Sequence, residues 1–188
     1  MNYSPLRYPG GKSKLAPLIN LIIKNTGNIC NTYIEPFAGG AGVALTLLLR
    51  NKVKQIVIND YDKAIYSFWK SLKDETNELI NLIKKTSLSI DEWKRQRNIY
   101  LNENKKHSLQ LGFAAFYLNR TNRSGILTGG VIGGHKQKGK YLIDARYNKN
   151  DLILRIEKSR VHYQRRVRSR CHNQRSVERR KLLLLAHC

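Results

Sequence analysis

The chain has 188 residues, 41% hydrophobic and 26% charged, which suits one globular domain, or one with a small insertion, and excludes a low-complexity or fibrous protein. Lys and Arg total 35 against 13 Asp and Glu, a net charge of +22 that attracts polyanions, nucleic acid first; anionic membrane is the weaker alternative, because no basic amphipathic helix stands out, and solubility alone is the bland one. Cys30, Cys171 and Cys188 fit neither a disulfide framework nor a zinc ribbon, no stretch reaches the roughly 18 apolar residues of a membrane span, and no apolar signal region opens the chain, so a cytoplasmic protein with no membrane segment is expected.

In chain order, Pro17 to Ile23 has the spacing of an amphipathic helix and is followed by a turn at Thr26-Gly27-Asn28. Thr32 to Glu35 reads as a short buried strand that ends at Pro36. The glycine turn Gly39-Gly40-Ala41-Gly42 leads into an apolar helical run from Val43, and Lys54 to Asn59 is the next strand. Strand, glycine turn, helix and strand in that order make a βαβ unit and hence a parallel sheet. Residues 62–105 read as helices, with Ile65, Phe68, Trp69 and Leu72 at core spacing, and another helix spans His107 to Leu118. A polar cluster follows at Asn119 to Gly125, then a Gly- and Lys-rich loop from Thr128 to Lys140, and a further helix starts near Asp151.

Three segments carry chemistry. In Glu35-Pro-Phe-Ala-Gly-Gly-Ala-Gly42 the glycines let the backbone approach a ligand at a helix start; the third glycine of a dinucleotide fingerprint is missing, since Leu45 stands there, which points to a nucleoside-type ligand rather than a pyrophosphate. Asp60, at the tip of the second strand and 18 residues beyond Gly42, is placed to accept hydrogen bonds from ribose hydroxyls; the alternative is a plain turn residue. Gly11-Lys12-Ser13 suggests a P-loop, but Leu6 occupies the position of its first glycine and no strand precedes it, so an ATPase is excluded. A lysine on a glycine turn beside an aromatic still suits a ligand bearing a carboxylate.

Together, Tyr8-Pro-Gly-Gly-Lys12, residues 35–42, Asn59-Asp60 and Leu118-Asn-Arg-Thr-Asn-Arg-Ser-Gly125 resemble the Dam-type adenine-N6 DNA methyltransferases, in order and spacing, over Ser4 to Lys158. The resemblance implies an α/β fold, a partial Rossmann-like S-adenosylmethionine (SAM)-dependent methyltransferase sheet with a mostly helical target-recognition insertion. It implies a SAM-binding part at 1–69 and a helical DNA target-recognition region at 70–158. Tyr8, Lys12 and Asp60 would contact SAM, with Glu35, Phe37, Gly10, Gly11, Gly39, Gly40 and Gly42 shaping its pocket. Asn119, Arg120, Asn122 and Arg123 would meet base edges and phosphates of double-stranded DNA, and Lys136, Lys138 and Lys140 would meet phosphates. The implied activity is adenine-N6 methylation within a restriction–modification system.

The acceptor segment of that family, Asp-Pro-Pro-Tyr, is absent: the prolines are Pro5, Pro9, Pro17 and Pro36, none of them adjacent. No catalytic residue is assigned, and little or no methyl transfer is expected. A non-catalytic DNA-binding protein and a general RNA-binding domain are the alternatives. At residue 159 basic-residue usage switches, from 18 Lys and 8 Arg before it to 1 Lys and 8 Arg after it. Residues 159–188 read as an Arg-rich, non-native or disordered tail, the product of a shifted reading frame in preference to an arginine-rich arm; its Cys and His fit no standard metal-ligand spacing.

Overall fold

A computed structural model describes residues 3–8, 12–25, 32–103 and 106–169, with side chains as far as Arg160. The first helix, α1 (Ala16–Asn25), packs on α2 (Gly42–Leu49). Two short parallel strands, β1 (Thr32–Glu35) and β2 (Gln55–Ile58), flank α2 in sequence and pair Thr32 with Gln55 through Glu35 with Ile58. The βαβ unit expected from the glycine turn is therefore present. β3 (Val167–Ser169) adds to the far side of β2, also in parallel, giving the order β1-β2-β3.

Helices make up most of the rest: α3 (Lys63–Asp74), α4 (Thr76–Lys85), α5 (Ile90–Asn102), α6 (Leu109–Thr121) and α7 (Lys149–Arg166). Several begin at local caps. The Asp62 carboxylate accepts from the Ala64 N–H at 2.8 Å to start α3, and the Ser89 and Ser108 hydroxyls accept from Glu92 and Leu111 to start α5 and α6. Every residue of α6 from Leu111 to Thr121 is buried, as an all-round apolar helix requires, so α6 is the central pillar against which α3 and α5 pack. Phe68 of α3 stacks on Phe116 of α6 with ring centroids 5.6 Å apart. α3 spans the expected 69/70 boundary, and residues on both sides of it share one core.

The composition change at residue 159 is not a structural boundary. Leu152, Ile153, Ile156 and Ser159 lie at helical spacing on α7 and are buried, and the Ser159 hydroxyl donates to the Arg155 carbonyl at 2.8 Å. The helix therefore runs through the switch to Arg166. The expected tail at 159–188 thus begins within α7, and residues 170–188 lie outside the described residues. Among the described residues no helix is long and apolar enough to cross a membrane.

Candidate cofactor pocket and nucleic-acid interface

The parallel register sets the C-terminal ends of β1 and β2 side by side, and the chain continuing from each is stitched to the other. Asn59 N–H donates to the Glu35 carbonyl at 3.0 Å, and Ala38 N–H to the Asn59 carbonyl at 2.8 Å. Gly39 N–H then donates to Asp60 Oδ2 at 2.7 Å, and the Asp62 N–H to Oδ1 at 3.0 Å. From beneath, the buried indole of Trp69 donates to the Gly39 carbonyl at 2.8 Å. Gly39 has φ +46°, and a Cβ there would lie 2.8 Å from the Tyr8 ring. A side chain at this position would be strained by the turn and would displace that ring.

The result is one hollow of about 440 Å³ lined by Tyr8, Lys12, Glu35, Phe37, Gly40, Gly42 and Asp60, together with Ser4, Ser13, Tyr61 and Asp62. Residues far apart in sequence thus share a single space; Gly10 and Gly11 lie outside the described residues. Phe37 is exposed at its mouth. Glu35 Oε2 accepts from the Ala44 N–H at 3.0 Å, so this carboxylate sits on the first turn of α2, where the helix dipole favours negative charge. Burial nevertheless pushes the carboxyl groups of Glu35 and Asp60 above their ordinary range, against the lowering by backbone N–H donors and, for Glu35, by Lys12.

Sequence reasoning did not find what holds Tyr8 in place. Asn119 is fully buried; its Oδ1 accepts from the Arg7 N–H at 2.7 Å, and its Nδ2 donates to the Arg7 carbonyl at 2.6 Å and the Gly125 carbonyl at 2.9 Å. The Arg120 guanidinium donates to the Pro5 carbonyl, with Nε at 2.7 Å, and Arg155 donates to the Ser4 carbonyl at 3.2 Å. Gly125, at φ +75°, gives room to the Arg7 carbonyl, which would stand 2.5 Å from a Cβ. Burial and the neighbouring Arg155 and Arg7 lower the Arg120 pKa to about 10. The Leu-Asn-Arg…Gly motif is therefore a clamp on residues 4–7. Asn119 and Arg120 are buried, Asn119 with both side-chain polar atoms and Arg120 with Nε and Nη2 engaged by the chain's own backbone, whereas the resemblance assigned them to bases and phosphates.

Asn122 is placed in the same way. It is fully buried, accepts from the Trp93 indole at 2.7 Å and donates to the Ile126 and Leu127 carbonyls at 2.9 Å. It pins the loop that follows α6, assisted by Arg97, which stacks 5.3 Å over Trp93 and donates to the Gly129 carbonyl at 3.1 Å. Arg123, Ser124, Ile126 and Thr128 are left exposed on this loop, and His135, Lys136, Lys138 and Lys140 are exposed on its continuation. That continuation is built rather than slack: Gln137 Nε2 donates to the Ile132 and Gly134 carbonyls, and its Oε1 accepts from Ile143. A smaller hollow of about 270 Å³, lined by Asp62, Tyr100, Ile126 and Thr128 among others, shares Tyr8 and Asp62 with the larger one. Asp62, which caps α3 and lines both hollows, was not singled out by the sequence.

The sequence profile of the D12 class N6 adenine-specific DNA methyltransferases matches residues 8–181, which includes the composition switch. The chain is similar to the Type II methyltransferase M.MjaIII of Methanocaldococcus jannaschii, 30% identical over 134 residues, covering 64% of this chain and 46% of that protein. It is also similar to the modification methylase StsI of Streptococcus sanguinis, 32% identical over 90 residues, 48% of this chain and 12% of that protein. The chain thus spans less than half the length of either relative. With a profile match across nearly its whole length, the chain belongs to the D12 class N6 adenine-specific DNA methyltransferase family.

Proposed function

We propose that this chain is the cofactor-binding and target-recognising part of an adenine-N6 DNA methyltransferase of a restriction–modification system, acting in the cytoplasm on double-stranded DNA. The β1–α2–β2 unit is then the opening of a Rossmann-like SAM-dependent methyltransferase sheet. One observation carries the reading: Tyr8 and Lys12, the glycine turn and Asp60, brought from three separate segments, line one hollow. Its volume, about 440 Å³, is within the range of small-molecule sites.

The donor set fits SAM. The Asp60 carboxylate accepts backbone N–H groups of Gly39, Asp62 and Tyr61 and, with about four lone-pair sites, keeps capacity for the ribose hydroxyls. Lys12 supplies a cation for the amino-acid carboxylate, and the exposed Phe37 and Tyr61 rings offer faces to the adenine. SAM, when bound, supplies the electrophilic methyl group. Arg123 and Lys136, Lys138 and Lys140 present exposed charge to phosphates on the segment after α6, whose residues Gly125 to Thr128 line the smaller hollow. This 188-residue chain contains no Asp-Pro-Pro-Tyr segment to accept hydrogens from the target amine, so on its own it transfers little or no methyl.

Calorimetric SAM binding that weakens at least tenfold in Asp60→Ala is the expected result, and unchanged affinity overturns the pocket assignment. Labelled methyl transfer to duplex DNA above background would overturn the statement on activity. Equal or better affinity for structured RNA would favour the alternative of a general RNA-binding domain.

A further inference from the structure

Four arginines gather around residues 4–7, and two of them are occupied. Arg120 donates to the Pro5 carbonyl, while Arg155 pairs with Asp151 at 2.9 Å and donates to the Ser4 carbonyl. The other two are Arg7, which is half-buried, and Arg146, which is exposed. Arg7 Nη1 is closed off from solvent and has no hydrogen-bond partner among the described residues. Burial, and after it the charge of Arg146, push the Arg7 guanidinium below its ordinary range, and no carboxylate among the described residues offsets them. A secluded cationic donor facing a like charge is destabilising by itself. An anion within reach of both side chains relieves it.

We propose that Arg7 and Arg146 together grip one phosphodiester of the duplex, a contact that seats the DNA beside the two hollows. The inference rests on the reading of this chain as a DNA-binding part of a methyltransferase. Three observations select the occupant. Neither arginine is among the residues lining either hollow, so the anion is not the carboxylate of a ligand bound there. A base edge offers only partial charges, whereas a phosphate brings a full negative charge against two cations, and its oxygens match the guanidinium fork. The third is location: a Cβ on Gly125 would meet the Arg7 Cβ at 3.2 Å, so this side chain leaves the backbone next to the exposed Arg123 and Ser124. Asn119 holds the Arg7 main chain at both its N–H and its carbonyl, and the next residue, Tyr8, lines both hollows. A phosphate gripped by Arg7 is therefore one residue along a clamped segment from the pocket, which fixes the register of the duplex without reading its sequence.

The test measures the affinity of the full chain for random-sequence duplex DNA over a range of salt concentrations. Arg7→Gln and Arg146→Gln are each expected to weaken binding about tenfold, as the loss of a charge-assisted hydrogen bond does. The double variant lowers the slope of log affinity against log salt by about 0.9, because one phosphate is lost, where two separate contacts would give about 1.8. Arg7→Gln melts at the wild-type temperature or above it, since it removes both the repulsion and the unpartnered donor. Unchanged affinity in either single variant, a slope loss of about 1.8 in the double variant, or a lower melting temperature for Arg7→Gln each overturns the proposal. Inorganic phosphate that displaces the duplex at constant ionic strength would make this a site for the free anion and overturns it as well. A wild-type chain that binds no duplex removes the DNA-binding reading and this contact together, whereas wild-type binding matched by the variants removes the contact alone.

Discussion

Replacing Asn119 by alanine separates the clamp from a base-reading role. The substitution removes three hydrogen bonds and leaves the Arg7 N–H, the Arg7 carbonyl and the Gly125 carbonyl without that partner. Each orphaned buried group costs about 1–3 kcal/mol, and the partial exposure of Arg7 holds the sum near the lower end, about 3 kcal/mol. The chain has a cheaper response than unfolding, because residues 4–8 can detach while α6 stays packed. Arg120 and Arg155 still grip Pro5 and Ser4, so part of the segment stays docked. SAM affinity is then expected to fall about tenfold, corresponding to about 1.4 kcal/mol of the cost. Calorimetry measures the affinity, and hydrogen exchange at the Arg7 amide, whose partner is Asn119 Oδ1, reports detachment directly. Unchanged exchange and SAM affinity, with weakened and sequence-relaxed DNA binding, would refute the clamp and return Asn119 to the bases.

Gly125→Ala should destabilise the chain by about 2 kcal/mol in urea denaturation, from the strain of a positive φ and the clash with the Arg7 carbonyl; a neutral effect would mean that the segment is not seated there. Lys136→Ala with Lys138→Ala should reduce the slope of log affinity for duplex DNA against log salt by about 1.8, two phosphates' worth, and an unaltered slope removes both from the interface. Burial raises the Glu35 carboxyl above its unfolded value, so its contribution to stability is complete below about pH 4 and is lost as pH rises through the raised pKa. Glu35→Gln, which keeps an acceptor for the Ala44 N–H, should therefore gain on the wild type as pH rises towards neutrality. Urea midpoints at several pH values check this, and the opposite trend contradicts the assigned cause.

Much of the local organisation was legible in the sequence, because it depends on groups near one another along the chain. The glycine turn between Glu35 and Gly42, the strand ending at Asp60 and the apolar run of α2 are short-range signals, and the structure contains the βαβ unit they imply. Helix starts at Asp62, Ser89 and Ser108 follow equally local cap chemistry. The fates of Asn119, Arg120 and Asn122 were not legible. Their side chains suit base edges and interior backbone equally well, and the choice is made by partners such as the Arg7 amide, 112 residues away. Burial is a property of the packed chain, which no local pattern encodes. The same holds for Trp69, where a core aromatic at helical spacing also grips the glycine turn through one indole N–H. At residue 159, composition suggested a break, but the buried stripe through Ile156 and Ser159 carries α7 past it. Residue types and their spacing determined which chemistry this protein can offer; tertiary packing decided which side chains face the hollow, because hydrogen-bond partners distant in sequence compete for the same polar groups that a ligand would use.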